Sequence, residues 1–172
     1  PWNVVNIYQN VFLVASTANG AIGPHNTGAI LNIYNNVFYG PGAKSGYQEQ
    51  EAPNVSGVSF WNNVFARFST HHGFQLSNRP AYCNYNIYDS SSTFSSIAGG
   101  TNYSTFSSWQ SAGYDANGAR EPIAWANPGG TSAADYKFTS TRKNSGRGGT
   151  YATVIGAYIT GNETIGYSPT NA

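Results

Sequence analysis

Lys44 and His71 each lie eight residues beyond the last Asn of a recurring seven-residue motif, at Asn36 and Asn63. If the copies of that motif stack, the two side chains become neighbours, with Arg67 and His72 close by. A Lys beside an imidazole can divide two tasks between a base that takes a carbon-bound proton and a cation that neutralises an adjacent carboxylate. Each positive charge also lowers the partner's pKa. Glu49 and Glu51 offer a different chemistry. Two apart on an extended strand, they share one face at about 6.7 Å, within the roughly 6.5–9.5 Å that separates the acid and base of inverting glycosidases. Tyr34 and Trp61, in line with Tyr8, would repeat at about 4.8 Å, near the length of one sugar ring. Plainer readings compete with each of these: a solvated Lys–His pair, two carboxylates in the turn before Pro53, and an aromatic stripe that serves a subunit contact or lies under a loop from the tail. His71 and His72 are adjacent, so on a strand they point to opposite faces, and no His/Cys spacing supports zinc.

What must position these residues is an internal repeat. Asn6-Ile7-Tyr8-Gln9-Asn10-Val11-Phe12 recurs as Asn32-Ile33-Tyr34-Asn35-Asn36-Val37-Phe38, then as Ser59-Phe60-Trp61-Asn62-Asn63-Val64-Phe65, and more weakly around Asn86-Ile87-Tyr88. The final Asn steps by 26, 27 and 23 residues, and Gly20, Gly46 and Gly73 each follow their Asn by ten. Within a copy, Val5/Leu31/Val58 and Ile7/Ile33/Phe60 alternate with Asn6/Asn32/Ser59 and Tyr8/Tyr34/Trp61, which is the period of a strand. The Asn breaks that strand, Val-Phe begins a second, and the Gly opens a third. Several short strands per period predict copies stacked at about 4.8 Å. Asn tolerates a left-handed bend and can hydrogen-bond along the stack, so Asn10, Asn36 and Asn63 are expected to form a structural ladder. On the third strand Ala21, Tyr47 and Phe74 are expected inside, leaving Gln48, Gln50, Gln75 and Ser77 as an outward amide face.

At 172 residues the chain has the size of one domain, and Lys+Arg 8 against Asp+Glu 7 leaves a net charge of +1. Without a run of cations it has no phosphate-tracking groove, so nucleic acid is not an expected partner. No apolar run approaches the roughly 20 residues of a membrane span, so no membrane is expected either. Cys83 is the single cysteine, which leaves no internal disulfide. Aromatic residues make up 15% and charged residues only 9%, a poor composition for a helical protein and one whose surface must be solvated by amides and hydroxyls. The start at Pro1 and the lack of Met read as a mature or excised piece of a longer product.

The Ile-x-Asn-Asn-Val-Phe type copies ending at Phe12, Phe38 and Phe65 resemble the right-handed parallel β-helix family, which includes pectate-lyase-like polysaccharide lyases, some glycoside hydrolases and bacteriophage tailspikes. A C-terminal series is similar to the tail of many bacterial β-helix proteins: Phe106-Ser107-Ser108-Trp109-Gln110, Gly113-Tyr114-Asp115, Glu121-Pro122-Ile123, Asn127-Pro128, Asp135-Tyr136-Lys137-Phe138 and Ile155-Gly156-Ala157-Tyr158. It departs in Glu121, where Asp is usual, and in the basic Gly-rich stretch 141–149. The resemblance implies an all-β, right-handed parallel β-helix with regular coils over 1–88 and irregular final coils with a cap over 89–172. That cap would close the C-terminal end of a longer solenoid whose earlier coils precede Pro1. Turn capping is the expected role of Asp115 and Asp135.

The resemblance also implies a polysaccharide partner and an extracellular, cell-surface or virion-surface location. In the resembled lyases the third-strand sheet carries the sugar groove, and the amides of Gln48, Gln50 and Gln75 suit sugar hydroxyls because they donate and accept at once. A uronic-acid lyase would use Lys44 and His71 as base and cation, with Arg67 and His72 beside them, whereas a hydrolase would use Glu49 and Glu51. The other readings are a non-catalytic adhesin or tailspike segment that trimerises through the aromatic stripe, and a structural cap for catalytic coils upstream. No cofactor is read from the residues; calcium is implied by the family alone, since no alternating Asp column of the calcium-roll kind is visible.

Overall fold

The computed structural model describes residues 4–24, 28–49, 57–74, 79–89, 93–97, 102–137 and 156–157. Each repeat supplies three short strands. The first gives β1 (Val4–Tyr8), β2 (Val11–Leu13) and β3 (Gly20–Ile22); the second β4 (Ile30–Tyr34), β5 (Val37–Tyr39) and β6 (Ser45–Gln48). The third gives β7 (Gly57–Trp61), β8 (Val64–Ala66) and β9 (Thr70–Phe74); the fourth β10 (Tyr82–Asn84), β11 (Ile87–Tyr88) and β12 (Thr93–Ile97). A helix α1 (Phe106–Ser111), a strand β13 (Ala119–Arg120) and a 3-10 turn at Ala133–Tyr136 follow. Equivalent strands pair in parallel, forming the sheets β1-β4-β7-β10, β2-β5-β8-β11-β13 and β3-β6-β9-β12. The chain is thus all-β and built largely of parallel strands, and no helix among the described residues is long and apolar enough to cross a membrane.

The register of the first sheet is the one the motif predicts. Ile7, Ile33 and Phe60 align, as do Tyr8, Tyr34 and Trp61. Leu31, Ile33, Val58 and Phe60 turn into a core that they share with Phe38, Phe65 and Tyr88 of the second sheet and Tyr47 and Phe94 of the third. Inside it, Phe12, Phe38, Phe65 and Tyr88 stack with centroids 4.8, 4.7 and 5.4 Å apart, nearly one strand spacing per step. From β5 through β11 the second sheet is buried on both faces. Val37, Val64 and Ile87, with Tyr39 and Ala66, face the other way and are covered by Ile123, Trp125, Ala133, Tyr136 and Ala157 of the tail. This double burial explains why Val37-Phe38-Tyr39 is a continuous apolar run rather than an alternating one.

Two expectations about register are corrected. The left-handed bend after the first strand falls on Gln9, Asn35, Asn62 and Tyr85 (φ 58°, 52°, 56° and 62°), one residue before the ladder Asn. The ladder side chain can then turn inward from ordinary backbone. Nor do the glycines form a column: Gly20 pairs with Ser45, and Gly73 with Gln48. The linker between second and third strands shortens along the chain, from residues 14–19 to 40–44 to 67–69. Equal spacing from the Asn therefore lands on different positions of successive third strands.

The Asn ladder forms and has a direction. Asn10 Nδ2 donates to Asn36 Oδ1 (3.0 Å), Asn36 Nδ2 to Asn63 Oδ1 (3.1 Å), and Asn63 Nδ2 to Asn86 Oδ1 (3.0 Å). Each accepting oxygen also takes the backbone N–H of the preceding ladder residue. The last rung is not an amide. Asn86 donates both N–H and Nδ2 to Oδ1 of Asp115, each at 3.0 Å. The other Asp115 oxygen receives Tyr88 Oη (2.6 Å), Cys83 Sγ (2.8 Å) and Trp109 Nε1 (3.4 Å). Burial raises the Asp115 pKa, opposed by these hydrogen bonds. Helix α1, opened by the Thr105–Ser108 capping box, sets the Trp109 ring in the core beside Phe94 and Tyr114. Asp135 serves as a cap: its carboxylate takes the Ser132 N–H at the start of the 3-10 turn.

A candidate ligand cleft between the second sheet and the tail

Strands β5, β8 and β11 end side by side, and the residues at or just past their ends are Tyr39, Arg67 and Asp89. The tail crosses outside them, held through Ala126–Lys137 and Asn127–Asp135 backbone pairs, and brings Pro122, Ile123, Trp125 and Pro128 opposite. Together these residues line a cavity of about 240 Å³. A second cavity of about 320 Å³ shares Tyr39 and is completed by Leu13, Val14, Ala15, Pro41, Gly129, Gly130 and Tyr136. Tyr39, Trp125 and Tyr136 meet at steep angles, 86° for Tyr39–Trp125 and 57° for Tyr39–Tyr136. They form a bent aromatic wall rather than a stack.

The charged side of the cavity is Arg67 and Asp89. Arg67 is exposed, with φ 68°, and its backbone N–H donates to Asp89 Oδ2. Asp89 is nearly buried, and its Oδ1 lies 4.0 Å from Nε2 of His71. Among the described residues, neither ring nitrogen of His71 and not that carboxylate oxygen has a hydrogen-bond partner. Burial holds the His71 pKa well below its ordinary value, helped by the charges of His72 and Arg120 and opposed by Asp89. Burial lowers His72 to about 3, and its Nε2 lies 3.0 Å from Tyr88 Oη.

This arrangement relocates most of the residues singled out from sequence. Lys44 is exposed, but its carbonyl receives Thr70 N–H and Ser69 Oγ, and the register sets His71 level with Gly46. His71 is fully buried, so the expected exposed Lys44–His71 pair does not assemble. The shortened linker that displaces the glycines displaces this pair too. His71 and His72 do not face opposite ways; both rings pack against Phe65, Tyr88 and Phe94. Both lie near the start of β9, just after the turn at Arg67. Arg67 and His71 do meet in one place, through Asp89.

Gln48 is buried rather than part of an outward amide face, donating to the Glu49 carbonyl and accepting from Ser45 Oγ. Tyr47 faces the core as expected, and its hydroxyl donates to Glu49 Oε1 at 3.0 Å. Burial and the Glu49 charge push the Tyr47 hydroxyl pKa up. Strand β6 ends at Gln48, so Glu49 lies beyond the strand, as the turn reading has it, but it is buried. Gln50, Glu51, Gln75 and Ser77 lie outside the described residues. Tyr8, Tyr34 and Trp61 stack with ring planes within 4° and centroids 5.0 and 4.5 Å apart. Their faces are spent on one another, and exposure falls from 47% at Tyr8 to 8% at Trp61, so only ring edges line that stripe.

Asp89 and Trp125 escaped the sequence reading. Asp89 ends the weakest copy of the motif, three residues after its Asn where Arg67 stands four after its own, and Trp125 lies in a tail with no repeat. The one available signal was a charged residue following Val-Phe-Ala in one copy and Ile-Tyr in the next. Calcium, implied by the resemblance, does not fit the described residues: no three His, Cys, Asp or Glu gather, and the buried Asp115 oxygens are taken by protein donors. No protein-family model matches the chain, and neither a curated protein nor a solved structure matches it.

Proposed function

We propose that the chain is the C-terminal part of a right-handed parallel β-helix that binds polysaccharide in the cleft between the second sheet and the tail. The supporting observation is the cavity in which Tyr39 and Trp125 flank Arg67 and Asp89. Aromatic rings offer apolar faces to sugar C–H groups, while a guanidinium and a carboxylate donate to and accept from hydroxyls. Each cavity is near or below the lower end of the roughly 300–1,000 Å³ of small-molecule pockets, a size that suits one sugar unit at a time. Tyr39 borders both cavities, so a chain would pass over that ring from one to the other. A surface or extracellular location follows from such a ligand.

Binding rather than cleavage is the reading favoured here, because Lys44 and His71 stand apart and the Glu49 carboxylate is buried on Tyr47. A second reading, a cap for further coils, draws on the carboxylate that ends the Asn ladder.

The test is a panel of acidic and neutral polysaccharides, followed by tryptophan fluorescence, by new reducing ends and by the ultraviolet absorbance of an unsaturated sugar end. Binding without cleavage is expected. Trp125→Ala and Arg67→Ala should each weaken it about tenfold, or roughly 1.4 kcal/mol. Wild-type affinity in both variants would remove the cleft from recognition. Cleavage with the absorbance would restore the lyase reading, and cleavage without it the hydrolase reading.

A further inference from the structure

Six non-glycine residues among those described have positive φ. Four are the recurrent bend, and Asp115 ends the ladder. The sixth, Arg67, has no positive-φ counterpart at Val14 or Gly40, the equivalent positions of the first two repeats. A left-handed Arg is unfavourable, because its Cβ crowds the following carbonyl, and such conformations persist where the surroundings impose them.

The hydrogen bonds at this corner show what imposes it. Val14 N–H donates to the Tyr39 carbonyl (2.9 Å) and Gly40 N–H to the Ala66 carbonyl (3.0 Å), each continuing the parallel pairing by one step. With Phe65 paired to Tyr88, and so Ala66 level with Asp89, the same pattern would send Arg67 N–H to the Asp89 carbonyl. Arg67 N–H goes instead to the side-chain carboxylate of that same Asp89. A side chain has replaced a strand carbonyl, and the backbone turns out of the sheet.

Asp89 needs an anchor of its own. Its Oδ1 is buried without a donor among the described residues, an expensive state for a carboxylate oxygen, and His71 Nε2 is 4.0 Å away. The other groups around His71 are the rings of Phe65, Tyr88 and Phe94, the neighbouring imidazole of His72 and the charge of Arg120. A neutral imidazole carrying its proton on Nε2 would serve Oδ1 after a closure of about 1 Å to ordinary hydrogen-bond length. It would leave Nδ1 as an unpaired acceptor, which is less demanding than an unpaired buried N–H.

We propose that His71 and Asp89 are a positioning pair that fixes Arg67 in its left-handed backbone, and that Arg67, presented this way beside Trp125, selects ligands by their acceptor oxygens. The ligand half rests on the polysaccharide reading above; the positioning half does not.

The experiment combines nitrogen NMR of the histidine rings and the Arg67 amide with glycan titration of wild type, His71→Gln, His71→Phe and Asp89→Ala. Gln carries a terminal N–H near the position of Nε2, whereas Phe fills the ring volume with no donor. The expected results are an Nε2–H tautomer at His71 and a downfield Arg67 amide that moves upfield in the Phe and Ala variants. His71→Phe should bind about tenfold more weakly than wild type, and His71→Gln should restore binding to within about threefold. Melting temperatures identify variants that merely unfold, and the wild-type tautomer and amide shift stand independently of any variant. An Nδ1–H tautomer, or an Arg67 amide unmoved in a folded His71→Phe, would overturn the pair. Equal binding by the Phe and Gln variants would do the same. If the NMR results hold but wild type binds no glycan, the polysaccharide reading fails while the positioning pair stands.

Discussion

Oδ1 of Asp115 lies 3.0 Å from both the backbone nitrogen and Nδ2 of Asn86, the two contacts that each earlier ladder residue makes with the amide oxygen of the next Asn. The residue in the Asn column at this level is Gly118, since Ala119 N–H pairs with the Asn86 carbonyl as Val37 N–H pairs with that of Asn10. A Cβ on Gly118 would come within 2.8 Å of that same Asp115 oxygen. The glycine clears the space, and a carboxylate from three residues earlier fills it. Asp115→Ala strands the Asn86 N–H groups and the Tyr88 hydroxyl in the core, and should cost about 3–5 kcal/mol in urea unfolding. Asp115→Asn keeps an acceptor for Asn86 and should cost clearly less. Equal losses would mean that the acceptor matters less than the shape.

The protonation of Asp115 gives a separate signature. Burial raises its pKa above 3.8. The folded state therefore holds a proton that the unfolded chain has already released, so stability falls as pH rises from about 3.8 through the folded-state value. The difference in unfolding free energy between wild type and Asp115→Asn, measured from pH 3 to pH 7, should shift against wild type as pH rises. A flat difference would place the native titration at the unfolded value.

His71 and His72 act in the opposite direction. Both are buried and held neutral, His72 with its pKa lowered to about 3. Their stabilising contribution is complete above the unfolded value near 6.5 and is lost as pH falls toward the depressed values. Between about pH 6 and pH 4 His72 should remove roughly 1.4 kcal/mol per pH unit, and His71 acts in the same direction. His72→Gln should lower the slope of stability against pH by one proton, and an unchanged slope would mean that His72 titrates normally.

The two Asn columns separate burial from hydrogen bonding. Asn36 donates to Ile7, Tyr34 and Asn63 and accepts from Asn10, all with no exposed surface of its own. Asn36→Ala leaves several of these groups unpaired and should cost about 3 kcal/mol or more in chemical denaturation. Asn32 makes a similar amide bond to Asn6, at 3.0 Å, on the outer face where water can replace it. Asn32→Ala should stay within about 0.5 kcal/mol of wild type. Similar losses at the two positions would contradict the ladder's place in the core.

The sequence declared the stack because its first two strands repeat without insertions, so Ile7, Ile33 and Phe60, and Asn10, Asn36 and Asn63, align in space as they do on paper. The third strand was misread because its linker loses residues from copy to copy, which no count from the Asn can register. That slip removed His71 from Lys44 and took Gln48 out of the surface. The cleft was harder still. Trp125 and Pro128 reach it from a tail without periodicity, and Asp89 matters through a carboxylate that substitutes for a backbone carbonyl, an exchange that leaves no pattern in residue types.

The ladder's bonds all run one way, and this polarity makes the stack behave like a chain-growth polymer with an installed terminator. An Asn rung accepts from one side and donates to the other, so it propagates; an ionised carboxylate accepts and has nothing to hand on. At the Asp115 end, further addition to the ladder is chemically quenched. At the opposite end, the exposed Asn10 offers an oxygen as its living terminus. Any rung joining there must arrive donor first, in register with the rings of Tyr8 and Phe12.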